Sequence, residues 1–151
     1  MRYKQPRSVQ VILLSKGSGG VEYLLLRRIA AHGGFWQSIT GSLEDAETHR
    51  EAAVREVREE TGYELDADEL MDLELMNRFE ISPLWRSKYE PGVTHNEEVC
   101  FWARVEKRDI TLDEREHDSF IWADYETALG LLHWESNKRA MRKLKVLSAE
   151  C

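Results

Sequence analysis

The chain of 151 residues has few cysteines, no long apolar run and no excess of positive charge, and each lack excludes a class of protein. Its two cysteines, Cys100 and Cys151, are a poor disulfide framework, and Cys100 sits in an apolar run typical of a strand. We therefore expect a reduced, cytoplasmic protein. There is no run of roughly 18 apolar residues and no charged leader before an apolar segment, so we expect neither a membrane span nor a signal peptide.

The formal net charge of −7 argues against non-specific binding to a nucleic-acid duplex, which needs a basic surface. It does not exclude a small phosphorylated substrate, because bound divalent cations invert the local charge. Neither a G-x-S-x-G elbow nor a P-loop is present, and His32, His49, His95 and His133 show no metal-ligand spacing. His117 follows Glu116; we interpret it as a packing or hydrogen-bonding residue, with a catalytic base as the alternative.

With 42% apolar residues and no repeat, low-complexity tract or linker, residues 1–151 are predicted to form one domain. Apolar runs predict strands, and a capping box at Thr48-x-x-Glu51 followed by Gly62 predicts a helix between them. Two further helices are expected at the end of the chain. The strands are predicted at 8–15, 22–29, 36–40, 70–82, 97–106 and 119–123, and the last helices at about 124–131 and 136–147. Mixed strands with these helices indicate an α/β sandwich.

The most informative stretch lies within the predicted helix. Glu56, Glu59 and Glu60 stand at positions i, i+3 and i+4, so their carboxylates share one helix face. Like charges so placed repel, and the arrangement makes chemical sense if divalent cations bind among them. The bland alternative is a solvated acidic face.

These residues belong to a longer pattern of Gly41, Glu47, Arg55-Glu56-x-x-Glu59-Glu60 and Gly62 at fixed spacing. The pattern resembles the signature of the Nudix hydrolases, which cleave nucleoside diphosphates linked to another group. One departure is Tyr63, where the family prefers an aliphatic residue, and we interpret it as a variation in packing. The resemblance implies an α/β fold, an α-β-α sandwich around a mixed β-sheet, and Mg²⁺ as cofactor, with Mn²⁺ possible.

The resemblance also implies roles for single residues. Arg55 would orient Glu56, Glu47 would support the loop and helix, and the Thr40 carbonyl would join Glu56, Glu59 and Glu60 as a metal ligand. Glu116 would add a late-loop carboxylate. The alternatives are an exposed salt bridge for Arg55, a competing role for Glu114, and solvated loop acids for both glutamates. The general base remains open between Glu56 and Glu116.

Segments outside the signature resemble a group within this family, the dihydroneopterin triphosphate pyrophosphohydrolases of bacterial folate synthesis, also described as dATP pyrophosphohydrolases. They include Tyr3-Lys-Gln-Pro6, Phe35-Trp-Gln-Ser-Ile-Thr-Gly-Ser42, Tyr89-Glu-Pro-Gly-Val-Thr94 and Trp134-Glu-Ser-Asn137. This resemblance implies hydrolysis of a triphosphate to monophosphate plus pyrophosphate. Its implied substrate contacts are Lys4, Arg27, Thr40, Phe79, Glu80, Ile81, Ser82 and Ser136.

Each implied contact has an ordinary alternative: surface charge for Lys4 and Arg27, core packing for Phe79 and the N-cap of the last helix for Ser136. Other functions also remain open, namely hydrolysis of dinucleoside polyphosphates or oxidised nucleotides, and a non-catalytic nucleotide-sensing module. Decapping of a nucleic acid is disfavoured by the acidic composition.

Overall fold

The structure is a computed structural model that describes residues 2–150, with side chains described as far as residue 147. Seven strands and three α-helices follow one another within residues 2–150. Their bounds are β1 Arg7–Gly17, β2 Gly20–Arg28, β3 Trp36–Gln37, β4 Ile39–Ser42, α1 His49–Thr61, β5 Met71–Glu80, β6 His95–Arg104, β7 His117–Ala123, α2 Tyr125–Leu131 and α3 Glu135–Glu150.

All seven strands join one mixed sheet around β1. β1 runs antiparallel to β2 and β4 and parallel to β6, whose outer neighbour is β5. β2 also pairs with β3 and β7, both antiparallel. The predicted mixed sheet is confirmed.

The two faces of the sheet carry separate apolar cores because side chains alternate along β1. Val9, Val11 and Leu13 pack with Ala52, Ala53 and Val57 of α1. Ile12 and Leu14 pack on the opposite face with Ala140, Met141 and Leu144 of α3. The sheet therefore lies between α1 and the two C-terminal helices, as the predicted α-β-α sandwich requires.

Helix α1 begins and ends at the residues that its sequence signals indicate. The Thr48 hydroxyl accepts a hydrogen bond from the Glu51 amide, and the Glu51 carboxylate accepts one from the Thr48 amide. Gly62 ends the helix with φ of 85°, a left-handed conformation that favours glycine. Tyr63 then packs in the α1-side core and its hydroxyl donates to the Glu106 carbonyl, so the packing interpretation of Tyr63 is confirmed.

The structure differs from the sequence predictions mainly at element ends. The single strand predicted at 36–40 is divided at Ser38, because β3 pairs with β2 whereas β4 pairs with β1. Helix α3 begins at Glu135, so Ser136 lies in its first turn and not at its N-cap. Cys100 is buried and free, and Cys151 lies outside the described residues. Among the described residues, no helix is both long and apolar enough to cross a membrane.

Candidate active site

Arg55 is the centre of a hydrogen-bonded group that fixes the end of β4 against α1. Its Nε and Nη2 donate to the two carboxylate oxygens of Glu47 at 2.8 and 3.0 Å, and Nη2 also donates to the Ser42 carbonyl at 3.0 Å. Its Nη1 donates to Glu56 at 2.8 Å and to Glu59 at 3.2 Å. The Arg55 side chain is only 13% exposed, which disfavours the alternative of a solvent-exposed salt bridge. This is the geometry that the predicted orientation of Glu56 by Arg55 requires.

Gly41 of β4 lets the Glu56 carboxylate lie directly against the strand. A Cβ atom on Gly41 would stand 2.1 Å from the Glu56 Cδ atom, so any other residue at position 41 would force this carboxylate to move. Burial raises the pKa of Glu56, and hydrogen bonding to Glu60 and the charge of Arg55 oppose that rise. Glu56 is thus a desolvated carboxylate held between a glycine backbone and an arginine.

Glu60 is the most deeply buried carboxylate of the α1 face. It is 6% exposed, and within the described part of the chain its Oε2 atom has no hydrogen-bond partner. Burial, then the charge and hydrogen bond of Glu56, then Glu116 raise the pKa of Glu60 well above its ordinary range. A buried carboxylate with an orphaned oxygen is a costly feature unless a cation or a proton compensates it.

His117 lies beside Glu60 and is buried at the start of β7. Its Nε2 atom is 3.7 Å from Glu60 Oε1 and 3.4 Å from Gln37 Nε2. Because Gln37 Oε1 already accepts from Trp134 Nε1, the Gln37 amide donates to His117 Nε2, which leaves the proton of the neutral ring on Nδ1. Burial and the charge of Arg28 lower the pKa of His117 to about 4. The predicted hydrogen-bonding role therefore agrees with the structure, while a proton-accepting role at neutral pH has no support from it.

Glu116 and Glu114, the two candidates of the late loop, differ in their surroundings. Glu116 accepts a hydrogen bond from Arg28 Nη2 at 3.2 Å and is close enough to Glu60 to raise its pKa. Glu114 is exposed. The structure thus brings Glu116 to the carboxylates of α1, whereas Glu59 lies at the rim with a side chain that is 48% exposed.

Lys4 lies near Glu116 and Glu56, although it is far from both in sequence. Its backbone amide donates to the Lys88 carbonyl at 2.8 Å, and its Nζ atom is 5.7 Å from the centre of the Tyr89 ring. Burial and the charges of Lys88 and Arg28 lower the pKa of Lys4, while Glu116 and Glu56 raise it. A cation beside these carboxylates is well placed for an anionic substrate.

Of the other predicted substrate contacts, Thr40, Phe79 and Ser136 lie on the sheet face opposite α1. Thr40 pairs with Gln10, and Phe79 pairs with Asn96. The Ser136 carbonyl lies 3.4 Å from the side-chain amides of both Gln10 and Asn77.

The remaining predicted contacts have other partners. Arg27 forms an ion pair with Asp118 at 2.9 Å and lies 5.8 Å from the Trp36 ring. Glu80 points to the other side of β5 from Phe79 and pairs with Arg86. Ile81 is buried. The Ser82 carbonyl accepts a hydrogen bond from the Trp85 amide, so Ser82 begins a turn. Nothing in the structure gives Glu80 a place beside the carboxylates.

The carboxylates of the site are suited to a divalent cation, but they are not arranged around a single point. In residues 2–150, no three acidic, histidine or cysteine side chains already stand together as a ligand set. Glu56 and Glu60 are in direct contact, Glu116 is near them, and Glu60 Oε2 is an unused acceptor. Hard oxygen donors of this kind fit Mg²⁺ or Mn²⁺, with water and substrate phosphates completing the shell.

Two residues of the site were not predicted from the sequence. Arg28, not its neighbour Arg27, contacts Glu116, because β2 directs even-numbered side chains such as Leu24 and Leu26 to the α1 face. Gln37 supports His117 from a strand about 80 residues earlier in the chain. Side chains alternate along β2, so Arg27 and Arg28 point to opposite faces of the sheet. Only the packing of α1 shows which of these two faces carries the site.

Comparison with known proteins identifies the family of this chain. The model of the NUDIX domain matches residues 4–144. The chain belongs to the Nudix family. Dihydroneopterin triphosphate diphosphatase of Escherichia coli K12 is 36% identical over 150 residues, which cover 97% of each chain. The same enzyme of Haemophilus influenzae is 35% identical over 145 residues, covering 95% of this chain and 89% of that one.

A solved structure of the E. coli dihydroneopterin triphosphate pyrophosphohydrolase superposes with a TM-score of 0.82 at 35% identity, covering 95% of this chain and 97% of the other. The resemblance that the sequence motifs indicated is therefore confirmed. Nudix hydrolases generally use divalent cations and act on small phosphorylated substrates. The protein is accordingly a Nudix pyrophosphohydrolase.

Proposed function

We propose that this Nudix protein hydrolyses dihydroneopterin triphosphate to the monophosphate and pyrophosphate, with Mg²⁺ as cofactor. The observation that carries the proposal is the similarity to diphosphatases of this name, which extends over 97% of both chains in the E. coli case. A match confined to the signature would support only the reaction class. The cytoplasmic location expected from the cysteine content is consistent with such a substrate.

Glu56, Glu60 and Glu116 would hold the cation, with Glu59 at the rim and the Thr40 carbonyl as a further predicted ligand. When bound, divalent cations neutralise phosphate charge and make a coordinated water more acidic. The side chains of the protein position these ligands and the substrate. Arg55 holds the Glu56 carboxylate in place at 2.8 Å, and the absence of a side chain on Gly41 leaves room for it beside β4.

Lys4 supplies positive charge for the phosphates beside these carboxylates, and Arg28 donates a hydrogen bond to Glu116 at 3.2 Å. A water placed between Glu56 and Glu116 would have a carboxylate on each side to accept its proton. Both remain candidates for the general base. The P–O–P bridge between the α- and β-phosphates breaks: water attacks one of its two phosphorus atoms, and the bridging oxygen leaves with the other. The water oxygen therefore ends in the monophosphate after attack on the α-phosphorus and in pyrophosphate after attack on the β-phosphorus.

dATP is a second candidate substrate because phosphate chemistry alone does not distinguish it. Dinucleoside polyphosphates and oxidised nucleotides are weaker candidates for the substrate, since only the family signature supports them. A purely sensing module would have no use for the complete set of Glu47, Arg55, Glu56, Glu59 and Glu60.

The test is kcat/KM for dihydroneopterin triphosphate and dATP, measured side by side with Mg²⁺ by pyrophosphate release. A strong preference for the pterin supports the proposal. Equal or better turnover of dATP would assign a general nucleotide pyrophosphohydrolase instead.

A further inference from the structure

The sheet face opposite α1 carries a buried patch of polar side chains that the phosphate chemistry does not use. We call it the polar floor, and it consists of Ser8 and Gln10 on β1, Asn77 on β5, and Asn96 and Glu98 on β6. Each is at most 8% exposed. Strand register places these side chains on one face, since Ser8 and Asn77 both pair with Glu98.

The polar floor borders the three predicted substrate contacts that lie on this face of the sheet. Thr40 is the register partner of Gln10, Phe79 is the partner of Asn96, and the Ser136 carbonyl is within reach of Gln10 and Asn77. The carboxylates of α1 lie on the other side of β4, against Gly41. Thr40 and Gly41 are neighbours in β4, so a triphosphate that binds at those carboxylates and extends past this strand would place its attached ring at the floor.

The side-chain amides of Gln10 and Asn77 donate hydrogen bonds within the floor and to the first turn of α3. Gln10 Nε2 and Asn77 Nδ2 donate to Glu98 Oε1 at 2.8 and 3.1 Å, and neither donates to Oε2. Asn96 Nδ2 donates to Ser8 Oγ at 2.7 Å. Gln10 Oε1 and Asn96 Oδ1 are buried without a hydrogen-bond partner among the residues that the structure describes. The unpaired buried side-chain atoms that the floor offers a ligand are therefore acceptors.

Resting on the proposed function, we propose that the polar floor recognises the ring edge of the substrate, with Glu98, Asn96 and Gln10 accepting hydrogen bonds from a 2-amino-4-oxopyrimidine. Pterins and guanine carry this group, whose 2-amino and ring N–H groups lie along one edge. Adenine has a single amino group, and its ring nitrogens on that edge are acceptors. Buried acceptors that face acceptors remain unpaired, so the floor selects against adenine.

The energetics of Glu98 agree with a ligand that donates. Burial raises the pKa of Glu98, and the hydrogen bonds from Asn77 and Gln10 oppose the rise only in part. N–H groups of a bound ring would supply the missing compensation. The competing explanation is a purely structural floor that holds the first turn of α3 through the Ser136 carbonyl and through Arg139, which donates to Asn77.

Glu98→Gln separates the two explanations because it keeps the shape and one oxygen for Gln10 and Asn77 while it turns the other acceptor into a donor. We expect kcat/KM for dihydroneopterin triphosphate to fall roughly 10²-fold and that for dATP to change less than about threefold. The matched control is Glu97→Gln, since Glu97 is exposed on the opposite face of β6 and should change neither value. Equal losses for both substrates, or no loss, would overturn the proposal.

A binding measurement keeps this test separate from the proposed function. Wild-type protein that fails to cleave the pterin triphosphate refutes the proposed function, and the floor is then tested by the affinities of dihydroneopterin monophosphate, GMP and AMP. The floor predicts that Glu98→Gln weakens the first two and leaves AMP unchanged, whereas uniform affinities refute it. If Glu98→Gln does not fold, Asn96→Ala must show the same selective loss.

Discussion

The backbone of Gly41 lies so close to Glu56 that a Cβ atom on Gly41 would stand 2.1 Å from the Glu56 carboxylate carbon. We therefore predict that Gly41→Ala displaces this carboxylate from its bond with Arg55 and lowers kcat/KM by about 10²-fold or more. The matched control is Gly17→Ala, because a Cβ atom there meets nothing within 4 Å. Full activity of Gly41→Ala would show that the position of Glu56 is not critical.

Glu60 should trade stability for metal binding. Its buried carboxylate has a pKa raised by burial and by Glu56, so Glu60→Gln should leave the metal-free Tm equal to or above that of the wild type. Saturating Mg²⁺ should raise the wild-type Tm, since a ligand at 100 times its Kd stabilises the native state by about 2.7 kcal/mol. The Gln variant should lose most of this increase. An unchanged response to Mg²⁺ would place the cation elsewhere.

Glu116→Gln and Glu114→Gln form a matched pair in one loop. Glu116 contacts Arg28 and lies near Glu60, whereas Glu114 is exposed. We predict that the first change costs roughly 10²–10³ in kcat, the loss typical of a group acting directly on the reacting charge. The second should leave kcat within about twofold. A reversed order of the two effects would exchange the roles of these glutamates.

Much of the site was predictable from local signals. The capping box at Thr48, the left-handed Gly62 and the i, i+3, i+4 spacing of Glu56, Glu59 and Glu60 each depend on residues within one helix. Arg28 was missed because its importance depends on which face of β2 the helix α1 covers. Packing between segments distant in sequence decides that face.

The exposures of Glu59 and Glu60 show the same limit. The spacing places both side chains on the same face of α1. Glu60 is buried because it lies against His117 of β7, whereas Glu59 stays at the rim of the site. Gln37 is in the quoted Phe35–Ser42 segment, yet its link between Trp134 and His117 joins three distant parts of the chain. Such relationships need tertiary structure.

His117 should make the fold sensitive to acid. Its native pKa of about 4 lies below the ordinary value of 6.5, so between these pH values the unfolded chain takes up a proton that the native protein refuses. Stability from this group is present above pH 6.5 and is lost as the pH falls towards 4.

We predict that the Tm difference between pH 7 and pH 4.5 is several degrees smaller for His117→Gln than for the wild type, measured by thermal unfolding without metal. His95→Gln, at the start of β6, is the control and should keep the wild-type difference. Identical differences for the wild type and His117→Gln would contradict the buried, neutral imidazole.

The products formed from dihydroneopterin triphosphate test the central claim most directly. Phosphorus NMR of a complete digest with Mg²⁺ should show dihydroneopterin monophosphate and pyrophosphate in equal amounts, with no intermediate diphosphate. Release of orthophosphate, or an intact triphosphate under conditions in which another nucleotide is cleaved, would contradict the proposed function.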